Sequence, residues 1–256
     1  KIRIAQKLDE CGMHYIEGGW PGSNPKDVSF FEKAADMDWA HAKITAFGST
    51  RRKDTPVEDD GQVQTLLDAK TPAVTFFGKT WLLHVTEVLT TTPEENAAMI
   101  RDTTSYLKEN GREVIYDAEH FFDGFKDSTD YALETLQAAK DGGADWLVLC
   151  DTNGGTMPDE VYDMTQTVIE KLGIPVGIHT HDATGVGVAN ALSSIRGGAT
   201  QVQGTINGYG ERVGPCIQPF TNRIVIWLIE PINPFLSEGL GQAMIGRDAR
   251  RITDFG

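Results

Sequence analysis

Short aliphatic runs alternate with longer amphipathic stretches along most of this 256-residue chain, a rhythm that few folds can accommodate. The runs at 14–17, 42–47, 73–77, 113–116, 146–150, 176–179 and 201–205 read as strands. Helical spacing fills the intervals 27–37, 93–110, 128–140, 158–172 and 185–196. Their boundaries carry the expected signals. Pro25, Pro93 and Pro158 stand at helix starts, while Gly111, Gly142, Gly173 and Gly197 stand at helix ends.

Strands separated by helices imply right-handed βαβ units and a parallel sheet, either open and doubly wound or closed into a barrel. No Gly-x-Gly-x-x-Gly loop follows an early strand, which removes the usual support for a dinucleotide-binding sheet. Polar residues gather instead at the C-terminal ends of strands: Glu17, Arg51, Lys79, Glu119, Asp151-Thr152-Asn153, His179 and His181. A barrel brings such ends onto one face, where its active site belongs. The chain therefore reads as a (β/α)8 TIM barrel. It opens on a helical stretch, Lys1 to Leu8, without a start methionine, and only seven strands follow. That order predicts a barrel missing its first strand, with two unpaired edges that invite aggregation.

Composition narrows the function classes. A formal charge of −14 disfavours nucleic acid, which needs clustered cations. No run of 18 apolar residues suggests a membrane span, and the first residues lack the apolar stretch of a signal peptide. Cys11, Cys150 and Cys216 are scattered and odd in number, as expected in the reducing cytoplasm.

Four constellations carry chemistry. In Gly177-Ile178-His179-Thr180-His181-Asp182 the two histidines share one face of a strand, so their imidazoles could share a divalent cation. The competing reading is that one ring packs and the other caps the next helix. Asp151-Thr152-Asn153-Gly154-Gly155 offers acceptors, a hydroxyl and exposed amides to a carboxylate or carbonyl, or else forms an Asx turn. Glu119, in Tyr116-Asp117-Ala118-Glu119-His120, projects toward the barrel mouth unless it is an ordinary surface carboxylate. Glycines in Gly204-Thr205-Ile206-Asn207-Gly208-Tyr209-Gly210 permit close ligand approach, while Glu211 and Arg212 could equally be a surface pair.

Taken together, these segments resemble a known superfamily. Residues 15–26 (Tyr15-Ile16-Glu17-Gly18-Gly19-Trp20-Pro21-Gly22), Ala46-Phe47-Gly48-Ser49-Thr50-Arg51-Arg52 and Phe77-Gly78-Lys79-Thr80-Trp81 carry the likeness. So do Asp117-Ala118-Glu119-His120-Phe121-Phe122-Asp123-Gly124, the Asp-Thr-Asn-Gly-Gly and His-Thr-His-Asp motifs, and Gly208-Tyr209-Gly210-Glu211-Arg212. The chain is similar to the metal-dependent barrels that include isopropylmalate, homocitrate and citramalate synthases and hydroxymethylglutaryl-CoA lyase. It most resembles the citramalate synthase branch, over roughly four fifths of its length, and such dense agreement is more specific than any single motif.

The resemblance implies a Claisen-type condensation of acetyl-CoA with a 2-oxo acid, pyruvate for this branch. A lyase or aldolase on the same barrel, or an inactive remnant that binds only metal or another subunit, are the alternatives. It implies His179 and His181 as ligands of magnesium, manganese or zinc, and Thr152 as the partner of the oxo acid carboxylate. Glu119 resembles the carboxylate near the acetyl methyl group, as base or orienting group. Asp151, Asn153, Arg51 and Glu211 are expected to line the substrate. Full-length relatives are expected to be homodimers with a regulatory C-terminal domain.

Two departures stand out. The family's Leu-Arg-Asp-Gly strand would precede Lys1, and its loss should cost on the order of a hundredfold in rate. Where the family has a metal-contacting Asn, this chain has Pro215, which has no side-chain oxygen. Residues 1–214 are thus expected to form the catalytic barrel, and residues 215–256 a divergent or frame-shifted tail.

Overall fold

The structure, a computed structural model, describes residues 1–206 and the strand at 224–227. After a helix, α1 (Ile2–Glu10), come β1 (Tyr15–Glu17), α2 (Pro25–Ala35), β2 (Lys43–Ser49), α3 (Gly61–Asp68) and β3 (Ala73–Lys79). Then follow α4 (Leu82–Glu87), α5 (Pro93–Glu109), β4 (Glu113–Glu119), α6 (Phe121–Asp127), α7 (Thr129–Asp141) and β5 (Trp146–Asp151). The series ends with α8 (Pro158–Leu172), β6 (Val176–Thr180), α9 (Gly187–Arg196), β7 (Gln201–Gly204) and β8 (Ile224–Trp227).

Every strand runs parallel to its neighbours, and the order β1 to β8 closes on itself. The barrel reading is therefore met, with one difference. Ile224–Trp227, inside the stretch expected to be a divergent tail, pairs with both β7 and β1, so the two open edges predicted there are covered. Its β-branched and aromatic run, Ile224-Val225-Ile226-Trp227, has the composition strands favour. We expect Ile226→Pro, which removes a ladder donor opposite Ile16 and Gly204, to reopen the edge. Light scattering is expected to show a monodisperse parent chain and soluble oligomers or aggregate for the variant; a variant that scatters like its parent would contradict closure by β8.

Helix starts follow from caps. The Asn24 side chain accepts from the Lys26 amide ahead of Pro25, and Thr92 accepts from Glu95 ahead of Pro93. Asp60 accepts from the amides of both Gln62 and Val63. At the foot of the barrel, Asp9 gathers the amides of Ala40, His41 and Ala42 at 2.7–2.8 Å and pins the loop entering β2.

Alternation along each strand divides two cores. Ile16, Ile44, Val74, Phe76, Val114, Tyr116, Leu147, Leu149 and Ile178 pack outward under the helices. Tyr15, Ala73, Ile115, Trp146, Val148 and Cys150 fill the bore. Replacing Phe76, fully buried between sheet and helices, with alanine is expected to cost about 3–5 kcal/mol in urea unfolding.

Candidate active site

The inward positions nearest the strands' C-terminal ends are polar, and they make the barrel mouth. His179 and His181 lie on one side of β6 and the residue after it, with ring centroids 5.1 Å apart and planes at 42°. Both are buried, at 6% and 8% exposure, so the neighbouring rings are sheltered from solvent. Among the described residues no third His, Cys, Asp or Glu joins them in a metal-holding group.

The next strand ends bring the other candidates alongside. The His181 amide bonds to the Asp151 carbonyl at 3.1 Å, and the Thr152 hydroxyl accepts the His120 amide at 2.8 Å. Glu119 closes β4, ion-paired with Lys79 at the matching position of β3. Thus Glu119, Thr152 and the histidine pair occupy the ends of three consecutive strands, β4, β5 and β6.

Gly154 explains how the turn after β5 holds its shape. Its φ of +64° is left-handed, and a Cβ there would lie 2.9 Å from the His181 carbonyl oxygen. Only glycine lets the two turns meet so closely. Thr184 Oγ1 then donates to the Gly154 carbonyl at 2.6 Å, locking one turn to the other.

A ring cluster borders the mouth. His84 and His120 meet edge to face with centroids 4.4 Å apart, and Trp81 lies 4.9 Å from His84. His120 has a φ of 57°, uncommon for a residue with a Cβ, and its Nδ1 lies 3.1 Å from Asp123 Oδ2. Asn153 donates to the same oxygen at 3.0 Å. Burial raises the Asp123 pKa, but these bonds outweigh it and hold the carboxyl below its ordinary range. Asn153 is thereby tied to the rim.

Two residues expected at the substrate are turned to other tasks. Asp151 faces the helix layer, one step out of phase with Cys150 and Thr152. Its carboxylate takes the Thr156 hydroxyl at 3.0 Å and the Thr156 amide at 3.3 Å, with Asn190 Nδ2 at 3.4 Å. Arg51 donates to Asp102 through Nε and Nη2, to Glu95 at 2.7 Å and to the Arg52 carbonyl. Its fork fastens the loop after β2 to α5, since nearly every donor is already engaged. Glu211, with Arg212, Pro215 and Cys216, lies outside the described residues; Cys11 and Cys150 are free thiols.

The bore below the mouth holds groups that the motif reading passed over. Gln203, fully buried on β7, sits 2.8 Å from His179 Nδ1 through Oε1 and donates from Nε2 to Asp117 Oδ1 at 2.7 Å. Burial pushes the Asp117 carboxyl up to about 8. Glu17 is pushed well up by burial and by the Asp117 charge, and its Oε2 has no hydrogen-bond partner among the described residues. Two-residue alternation signals both positions: Asp117 is two before Glu119, and Gln203 pairs in register with His179.

A barrel with a polar mouth of this kind defines the class, and the chain belongs to the HMGL-like family, whose model matches residues 1–219. It is 59% identical over 215 residues to a (R)-citramalate synthase of Aquifex aeolicus, covering 84% of this chain and 41% of that protein. A (R)-citramalate synthase of Geobacter sulfurreducens is 55% identical, with 84% and 40% covered. The 2-isopropylmalate synthase of Pyrococcus furiosus stands at 31%, with 84% and 42% covered. The chain thus spans about two fifths of the length of these relatives. Among solved structures, the HMG-CoA lyase of Bacillus subtilis superposes with a TM-score of 0.65 at 18% identity, covering 84% of this chain and 74% of that one. That likeness establishes the shared barrel. No helix among the described residues is long and apolar enough to cross a membrane.

Proposed function

We propose that this chain is the metal-binding barrel of an acyltransferase that condenses acetyl-CoA with a 2-oxo acid, pyruvate giving citramalate. The observation that carries the reading is the gap in identity: 48–59% to relatives named (R)-citramalate synthase, against 31–32% to those named 2-isopropylmalate synthase. Full-length protein is proposed to be a cytoplasmic homodimer.

The donor set fits a divalent cation. Two sheltered imidazoles on one face, His179 and His181, would hold magnesium, manganese or zinc, with remaining positions for water and substrate oxygens. Bound there, the cation would polarise the ketone of the oxo acid. Thr152, whose hydroxyl accepts the His120 amide at the end of β5, is the proposed partner of the oxo acid carboxylate. Asn153 shapes the rim through Asp123. Glu119, its charge balanced by Lys79, faces the acetyl methyl group and takes up or orients the proton lost on enolisation. Asp151 and Arg51 act at one remove, holding the turns on which Thr152 and the β2 loop ride.

Free thiol released from acetyl-CoA only in the presence of pyruvate tests the reading. We expect Glu119→Gln to lower that rate by about 10²–10⁴-fold with little change in the thermal midpoint. Cleavage of hydroxymethylglutaryl-CoA without condensation would favour the lyase alternative.

A further inference from the structure

We propose that Gln203, itself held by Asp117, is a positioning residue that fixes His179 as its Nδ1–H tautomer and so makes Nε2 the atom offered to the cation. The inference deepens the metal reading above and rests on it for the role of Nε2.

The argument starts from the amide. Gln203 has two unlike ends, an acceptor oxygen and a donor nitrogen, and they cannot both face the same neighbour. Asp117 Oδ1, reaching across the bore from β4, receives Nε2 at 2.7 Å, and a carboxyl keeps an accepting oxygen for that bond whether or not its other oxygen carries a proton. Oε1 is therefore left toward His179 Nδ1, at 2.8 Å. A carbonyl oxygen has no hydrogen to give, so this contact is a hydrogen bond only if Nδ1 carries the proton. A neutral imidazole has one N–H, which places its lone pair on Nε2. Metal-bound histidines are commonly fixed in this way through the nitrogen that does not bind.

Placement makes the relay stiff. Gln203 is fully buried and Asp117 nearly so, so water does not compete for either bond. The relay joins β4, β7 and β6, three separate walls of one barrel, and β6–β7 pairing sets His179 opposite Gln203 in register. His179 is thus oriented from the far side of the bore as well as by its own strand.

The tautomer can be read without metal. In protein labelled with ¹⁵N-histidine at a pH where imidazoles are neutral, two-bond ¹H–¹⁵N correlations distinguish the two tautomers, and His179→Gln identifies the signal. We expect the Nδ1–H pattern for His179 in the parent protein. Gln203→Met, close in length but with no hydrogen-bonding amide, should shift it toward a mixture and weaken manganese binding by about 10–100-fold. Asp117→Leu, which lets the Gln203 amide turn end for end, should also give a mixture. A Gln203 that merely fills the bore would leave the tautomer untouched. An Nε2–H pattern in the parent protein overturns the proposal even if neither variant folds, and so does an unchanged pattern in a folded Gln203→Met. An Nδ1–H pattern lost in Gln203→Met, with no manganese bound by either protein, would sustain the positioning and sink the metal reading alone.

Discussion

Manganese binding is expected to vanish from calorimetric titrations in His179→Ala and in His181→Ala alike. The two rings are the described side chains that would hold the ion, and among the described residues no third ligating residue joins them. Removing one leaves a single neutral donor. The affinity should fall by more than about 100-fold, beyond what changes in surrounding hydrogen bonds produce. Because each ring lies at the mouth and not in the packed layers, both variants should keep a cooperative thermal transition. Parent and variants giving the same titration would mean that the imidazoles pack and cap, and the proposed chemistry would lose its anchor.

Stability should fall as pH rises from about 4 to 8, and Asp117→Asn should flatten that slope. In the folded barrel burial pushes Asp117 up to about 8, whereas in the unfolded chain it ionises near the ordinary aspartate value. Between those values the native state binds the extra proton and unfolding releases it, so each step upward in pH favours the unfolded chain. At about 1.4 kcal/mol per pH unit, this one carboxyl accounts for at most roughly 6 kcal/mol. Glu17, raised by burial and by the Asp117 charge, acts in the same direction. Depressed carboxyls work the other way. Asp9 is raised by burial but lowered further by the Ala42, Ala40 and His41 amides, so its contribution is lost as pH falls below the usual carboxylate range. Urea midpoints from pH 4 to 8 measure the slope, and an asparagine variant as steep as its parent would disprove the assignment.

The barrel was legible because its signals are local. Seven strands fall within three residues of their aliphatic runs, and α2 and α5 begin at the Asn24-Pro25 and Thr92-Pro93 caps that announce them. The helices α3, α4 and α6 were not, since each spans eight residues or fewer and shows too little periodicity to register. The histidine pair could be read from the two-residue repeat of one strand. The same repeat, applied to β5, would have turned Asp151 away from Thr152. Arg51 gave no warning, because its partners Glu95 and Asp102 lie on a helix more than forty residues away. The link from Asp117 through Gln203 to His179 joins residues 86 apart and emerges only when the sheet curls. Barrel closure is equally non-local: an apolar run near one end of the chain reveals its partner only in three dimensions.

Pairing of β8 with β1 has a consequence for biosynthesis. Tyr15 is matched to Val225, so the last seam of the sheet joins residues some two hundred positions apart. A chain emerging from the ribosome can stack β1 to β7 in order, yet the ring stays unzipped until Ile224–Trp227 has left the exit tunnel. Throughout that interval, β1 and β7 each present an unpaired edge that another strand can fill.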